Sequence, residues 1–132
     1  MSPKRILIVD DNKVILETMS MKLTANGYEV ITALDGAAAI SIVRSEKPDL
    51  ILLDISLPAG PGGVQWDGFL VLDWLRRSDD VKHIPVIIIS RTEPEKYRDR
   101  ALAAGALAVF HKPVDYPQFL ETIRRLFEPA ET

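Results

Sequence analysis

The stretch Asp49-Leu-Ile-Leu-Leu-Asp54 holds four uninterrupted aliphatic residues between two carboxylates, and it follows Pro48. A run this short and apolar on both faces reads as a strand buried in the middle of a parallel sheet. Its last residue then emerges at the carboxyl edge of the sheet, where open α/β folds place their chemistry. Two further runs aim at the same edge. Ile6-Leu-Ile-Val9 leads into Asp10-Asp11, and Val86-Ile-Ile-Ile89 leads into Ser90.

Between these strands the chain alternates with helices. Asp11 or Asn12 caps a helix over residues 13–26, with Val14, Ile15, Thr18, Met19 and Leu23 at helical spacing and Gly27 as its left-handed stop. Residues 28–33 are β-branched enough for a second strand, at an edge. Asp35 caps an alanine-rich helix that Pro48 ends. A third helix covers about 68–78, with Phe69, Leu70, Leu72 and Leu75, and Trp74 packs at the edge of the core. Pro94 sits near the first turn of a fourth helix closed by Gly105, residues 107–112 form a fifth strand, and Asp115 starts a last helix to Phe127. The pattern is (βα)₅, a doubly wound flavodoxin-like fold with parallel strands joined by right-handed crossovers.

Composition fits this plan. The chain has 132 residues, 47% hydrophobic and 27% charged, in the range of an ordinary globular domain able to bury about two-thirds of its unfolded surface. The expectation is a single domain, with its core over about 4–127. There is no cysteine, which excludes disulfides and thiolate chemistry, and a net charge of −3 argues against direct nucleic-acid binding. No apolar run approaches a membrane span and no secretory signal opens the chain, so the expected setting is cytoplasmic.

In this topology Asp10, Asp11, Asp54, Ser90 and Lys112 all fall at carboxyl ends of strands. Two like charges about 4 Å apart repel by about 4 kcal/mol at an effective dielectric of about 20, so converging carboxylates call for a proton or a cation between them. Oxygen ligands suit Mg²⁺, with Mn²⁺ or Ca²⁺ as substitutes. Three aspartates, one divalent ion and Lys112 sum to zero charge, so an incoming phosphoryl group meets no net repulsion. Asp54, alone at the end of the central strand, is the natural nucleophile, while the adjacent Asp10 and Asp11 suit the ion.

These residues, with Pro113 after Lys112, resemble the receiver domain of two-component response regulators. The resemblance runs from about Lys4 to Phe127 and implies strand order 2-1-3-4-5. It implies that Asp54 is the phosphoacceptor for a phosphohistidine on a histidine kinase or histidine phosphotransfer protein. It assigns Asp10, Asp11, Asp54 and the backbone carbonyl of Ser56 to Mg²⁺, and Ser90 and Lys112 to the phosphoryl oxygens, with Ser90 moving as the switching step. The Lys112–Pro113 peptide is expected to be cis. Output is expected through the face of the fourth helix, fifth strand and fifth helix, including Tyr97, Arg98, Arg100, Phe119 and Arg124, toward a downstream protein or a second copy.

The chain departs from the family pattern at three places. The stretch Ala-Gly-Pro-Gly-Gly-Val-Gln-Trp separates Pro58 from Asp67 and reads as an insertion at about 59–66, either a plain surface loop or a partner-selecting one. Val109 stands where receivers commonly carry an aromatic that swings inward, so the usual coupling is expected to be altered or absent. Arg91 follows Ser90 where a small residue is usual, and it either modulates access to the site or is a solvated arginine pairing with Glu93 or Glu95.

Singly, each of these residues has a plainer reading, since aspartates cap turns and lysines are usually solvated. His83 and His111 read as surface or strand residues, and Lys22, Arg76, Arg77, Arg124 and Arg125 as solvated helix faces. Three other functions compete with this one. An aspartyl-phosphate phosphatase needs a second acid where Ser56 stands; a flavodoxin-like carrier needs a phosphate-cradling loop where Asp-Asp-Asn stands. A degenerate receiver acting as a phosphorylation-independent interaction module is the remaining alternative.

Overall fold

Five aliphatic runs become five parallel strands in the computed structural model of the chain, which describes residues 3–55, 68–91, 95 and 97–128. The elements are β1 (Arg5–Val9), α1 (Lys13–Ala25), β2 (Glu29–Ala33), α2 (Gly36–Glu46), β3 (Leu50–Asp54), α3 (Gly68–Arg77), β4 (Val86–Ser90), α4 (Arg98–Ala103), β5 (Ala108–His111) and α5 (Tyr116–Phe127). The sheet order is β2-β1-β3-β4-β5, as expected. β3 lies at its centre with every residue buried, while β2 is a half-exposed edge. The expected Ser56 carbonyl ligand, the 59–66 insertion with Trp66, Glu93 and Pro94 lie outside the described residues.

Strand side chains alternate between two cores because successive residues point to opposite faces. Leu7, Val9, Ile51, Leu53, Val86 and Ile88 meet Val43 of α2, Leu72 and Leu75 of α3 and Ala101 of α4. Ile6, Ile8, Leu50, Leu52, Ile87 and Ile89 meet Leu16, Met19 and Leu23 of α1 and Phe119 and Ile123 of α5. Each fully buried Val, Leu, Ile, Met or Phe among them contributes about 1.5–3 kcal/mol of transfer free energy. This double-sided burial fixes the strand ends, and hence the residues just beyond them, at one edge.

Side-chain caps set where the helices begin. Asn12 Oδ1 accepts from the Val14 and Ile15 amides at 2.9 and 3.3 Å, and Asp35 Oδ1 from the Ala38 amide at 2.8 Å. Asp115 caps α5 through the Gln118 amide at 3.3 Å. α2 ends on Lys47, whose φ of 44° is left-handed, before Pro48.

Several surface assignments from sequence are corrected. Val14, placed on the inner face of α1, is 69% exposed, while Leu16 takes the buried stripe with Met19 and Leu23 at helical spacing. Phe119 and Tyr97, placed on the output face, are buried: Phe119 shares the sheet-facing stripe of α5 with Ile123, and Tyr97 packs under α4. Arg76 is not a solvated helix residue; its guanidinium donates to the carbonyls of Lys82 and Ile84, tying α3 to the turn before β4. α4 begins only at Arg98, later than the position of Pro94 suggested. No helix among the described residues is long and apolar enough to cross a membrane.

Candidate functional site

Among the described residues the buried polar side chains are Asp10, Asp54 and Ser90, at the ends of β1, β3 and β4. Buried ionised groups are tolerated only when paired, and here the partner comes from the end of β5. Lys112 Nζ donates to Asp10 Oδ2 at 2.5 Å and to Asp54 Oδ2 at 3.0 Å, with all three side chains less than a tenth exposed. The second Asp10 oxygen accepts the Asn12 backbone N–H at 2.9 Å, so Asp10 is held from both sides. The Lys112 amide donates to the Ser90 carbonyl at 2.8 Å and the Lys112–Pro113 peptide is cis, as expected.

Asp11 is exposed at the mouth, and carboxylate oxygens of Asp10, Asp11 and Asp54 lie within 4.8 Å of one another. Mg²⁺ binds oxygens at about 2.0–2.1 Å in an octahedron, so opposite ligands stand about 4.2 Å apart. A spacing of up to 4.8 Å is slightly wider than that span, so the three carboxylates need draw together only a little to hold such an ion, and all three donors are hard oxygens of the kind it takes. Against their three negative charges Lys112 supplies one positive charge, leaving an excess of two that matches a divalent cation.

A cavity of about 390 Å³ opens on these groups, lined by Asp10, Asp11, Asn12, Asp54, Arg91 and Lys112. Arg91 is exposed and makes no ion pair among the described residues; its carbonyl contacts His111 Nε2 at 2.9 Å. Val109 is half-buried on β5 against the core beneath α4. Of the expected site residues, the structure thus joins Asp10, Asp54 and Lys112 by direct contacts and sets the Asp11 carboxylate beside them. Ser90 lies on the adjoining strand end, where Asp54 pairs with Ile89 in register.

Sequence reading passed over three supporting residues. Asn12 was read only as a possible cap, yet its amide orients Asp10. Gly68 opens α3 so close to β3 that a Cβ there would lie 2.4 Å from Ile55 Cα and 2.7 Å from the Asp54 carbonyl oxygen. Its amide donates to the Ile55 carbonyl at 2.9 Å, which pins the chain just beyond Asp54. The signal was a glycine at a helix start, where close backbone approach demands it. The third is Tyr97, expected on the output face and found buried.

The model of the response regulator receiver domain matches residues 6–124. The chain belongs to the response regulator receiver domain family. It is similar to the polar-differentiation response regulator DivK of Brucella anthropi, 35% identical over 122 residues covering 92% of this chain and 94% of that protein. DivK of Brucella ovis is 34% identical over 121 residues, with the same shares covered. Among solved structures, a CheY-like receiver domain protein from Methanospirillum hungatei superposes with a TM-score of 0.83 at 30% identity, covering 95% and 94% of the two chains. The chemotaxis response regulator CheY4 of Vibrio cholerae gives 0.82 at 29% identity, covering 95% and 99%. This receiver domain is therefore a signalling part of a two-component system.

Proposed function

We propose that this receiver domain takes a phosphoryl group from a phosphohistidine onto Asp54 in a Mg²⁺-dependent step. The observation that carries the reading is the shared ion pair of Lys112 with Asp10 and Asp54 beside a third carboxylate, Asp11, in one open cavity. Asp10, Asp11, Asp54 and the Ser56 carbonyl would hold the ion, which supplies charge neutralisation at the phosphoryl oxygens when bound. Mn²⁺ or Ca²⁺ would serve in its place.

Asp54 attacks phosphorus in line, forming an aspartyl phosphate as the P–N bond to the donor imidazole breaks. Lys112 passes from the carboxylates to a phosphoryl oxygen, and the Ser90 hydroxyl donates to another. The donor is a histidine kinase or histidine phosphotransfer protein. The phosphorylated domain then presents an altered α4–β5–α5 face to a downstream protein or a second copy, without direct contact to nucleic acid or membrane. The chain acts as a regulatory acceptor that assists its own phosphorylation and dephosphorylation rather than as a turnover enzyme, in a cytoplasmic setting.

Arg91 lines the cavity and modulates it, covering the phosphoryl group or adding positive charge to it. Arg91→Ala then changes the rate of phosphorylation or of aspartyl-phosphate hydrolysis; two unchanged rates contradict that role. Pro113, which follows Lys112 in the receiver pattern, is the further residue at this end of β5 expected to modulate the site. The test of the whole reading is incubation with acetyl phosphate and Mg²⁺ followed by intact mass. A gain of one phosphoryl group, abolished by EDTA, supports it; no gain in saturating Mg²⁺ rejects it.

A further inference from the structure

Tyr97, the residue that caps α4, is 6% exposed, and its hydroxyl is buried with no hydrogen bond of normal geometry among the described residues. It packs in the same core as Leu53 and Ile88, the residues before Asp54 and two before Ser90, and Val109 packs against that core from β5. A buried hydroxyl without a partner is unfavourable, and its retention calls for an explanation such as a second state in which it is satisfied. Burial pushes the phenol above its ordinary value; the Ser90 hydroxyl and Arg98 act in the opposite sense, and the Asp54 carboxylate adds to the rise. On β4 Ser90 follows Ile88 by two residues, so its side chain points to the same face of the sheet as the core that holds Tyr97, and the two hydroxyls lie near each other.

We propose that Tyr97 is a positioning residue for Ser90, donating its O–H to the Ser90 oxygen when Ser90 donates its own proton to the phosphoryl group. This rests on the phosphoacceptor reading of Asp54 and Ser90. The bookkeeping of donors balances: a serine hydroxyl has one proton and two acceptor lone pairs, so turning its proton toward phosphate leaves its oxygen open to a second donor. The two bonds in series polarise one another. Because Tyr97 is also the first residue of the turn into α4, the same bond links the state of Asp54 to that helix. In this chain the aromatic lever thus comes from the start of α4, and Val109 is the small neighbour that leaves it room.

The test is a double-mutant cycle on acetyl phosphate phosphorylation, followed by intact mass in Mg²⁺, with Asp54→Ala as the blank. Tyr97→Phe keeps the ring and deletes only the unpartnered hydroxyl, so the protein folds as before. One neutral hydrogen bond present only with the phosphoryl group corresponds to about a threefold to tenfold slower reaction in Tyr97→Phe. In a Ser90→Ala background the same substitution has no further effect, because its acceptor is gone. Amide shifts of α4 on adding beryllofluoride, a phosphoryl mimic, shrink in Tyr97→Phe while those around Asp10 persist. Equal slowing in both backgrounds, or no slowing with α4 shifts intact, overturns the proposal while wild-type phosphorylation stands. Failure of the wild-type chain to be phosphorylated rejects the underlying reading and the proposal together.

Discussion

Lys112 and Asp54 are joined by a 3.0 Å ion pair between the ends of β5 and β3, although β4 lies between those strands. The lysine reaches past the end of β4 because its own amide is bonded to the Ser90 carbonyl, which sets its stem at the right height. A single cation is thereby shared by two buried carboxylates from separate strands.

Removing that cation takes away the positive charge that faces both buried carboxylates. Lys112→Met is expected to destabilise the domain by about 3–5 kcal/mol in EDTA, the usual cost of breaking a buried pair from one side. Mg²⁺ should restore part of the loss and bind more tightly than to wild type, since the site has become more negative. Thermal unfolding with and without the ion checks both; a variant as stable as wild type in EDTA would contradict the compensating role.

Gly68 holds α3 against the end of β3. Adding one methyl group in Gly68→Ala puts a carbon 2.4 Å from the Ile55 backbone, where no flexible side chain can yield. The expected loss is about 1–3 kcal/mol, as for overpacking in a core. Because the displaced backbone includes the Asp54 carbonyl, phosphorylation slows as well. Denaturant melts and acetyl phosphate kinetics on the same variant test the two consequences separately.

How much of this was legible in the sequence follows from where the interactions lie. The strands and the acidic strand tips were readable because aliphatic runs and the carboxylates that end them are local patterns, whereas the strand order was implied by the resemblance to receiver domains. The pairing of Lys112 with Asp10 joins positions far apart in the chain and became a contact only through the topology. Tyr97 was expected on the surface as part of the output face that the resemblance implies, yet at the start of α4 it packs inward. Phe119 was misplaced for a related reason: its inward direction depends on the phase of α5, which Ile123 four residues later reveals.

All three tyrosines of the chain, Tyr28, Tyr97 and Tyr116, have phenols raised above their ordinary value of 10.0, each mainly by burial. A folded pKa above the unfolded one means that the stabilisation is full below pH 10.0 and is lost as pH rises through the folded value. Ultraviolet titration of the folded chain should therefore lag that of the denatured chain on the alkaline side. Coincident curves would contradict the burial of these rings.

Glu121 bonds both Arg124 and Arg125 on α5, and these bonds hold its carboxyl below the ordinary range. A depressed carboxylate stabilises above its unfolded pKa and loses that contribution as pH falls through the folded value. Since the cluster lies on the solvent side of α5, the effect is screened by salt, and Glu121→Gln is expected to leave the acid unfolding midpoint almost unchanged in high salt. A large, salt-independent shift would show the cluster to be structural.

The central claim is that the crowded acidic strand ends direct phosphoryl capture to Asp54. Its most direct test is borohydride reduction of the acetyl phosphate-treated protein, which converts an aspartyl phosphate to homoserine, followed by peptide mapping. Homoserine at position 54 alone, appearing only with Mg²⁺, is the predicted result. Homoserine at Asp10 or Asp11, or none at any position after Mg²⁺ treatment, would contradict it.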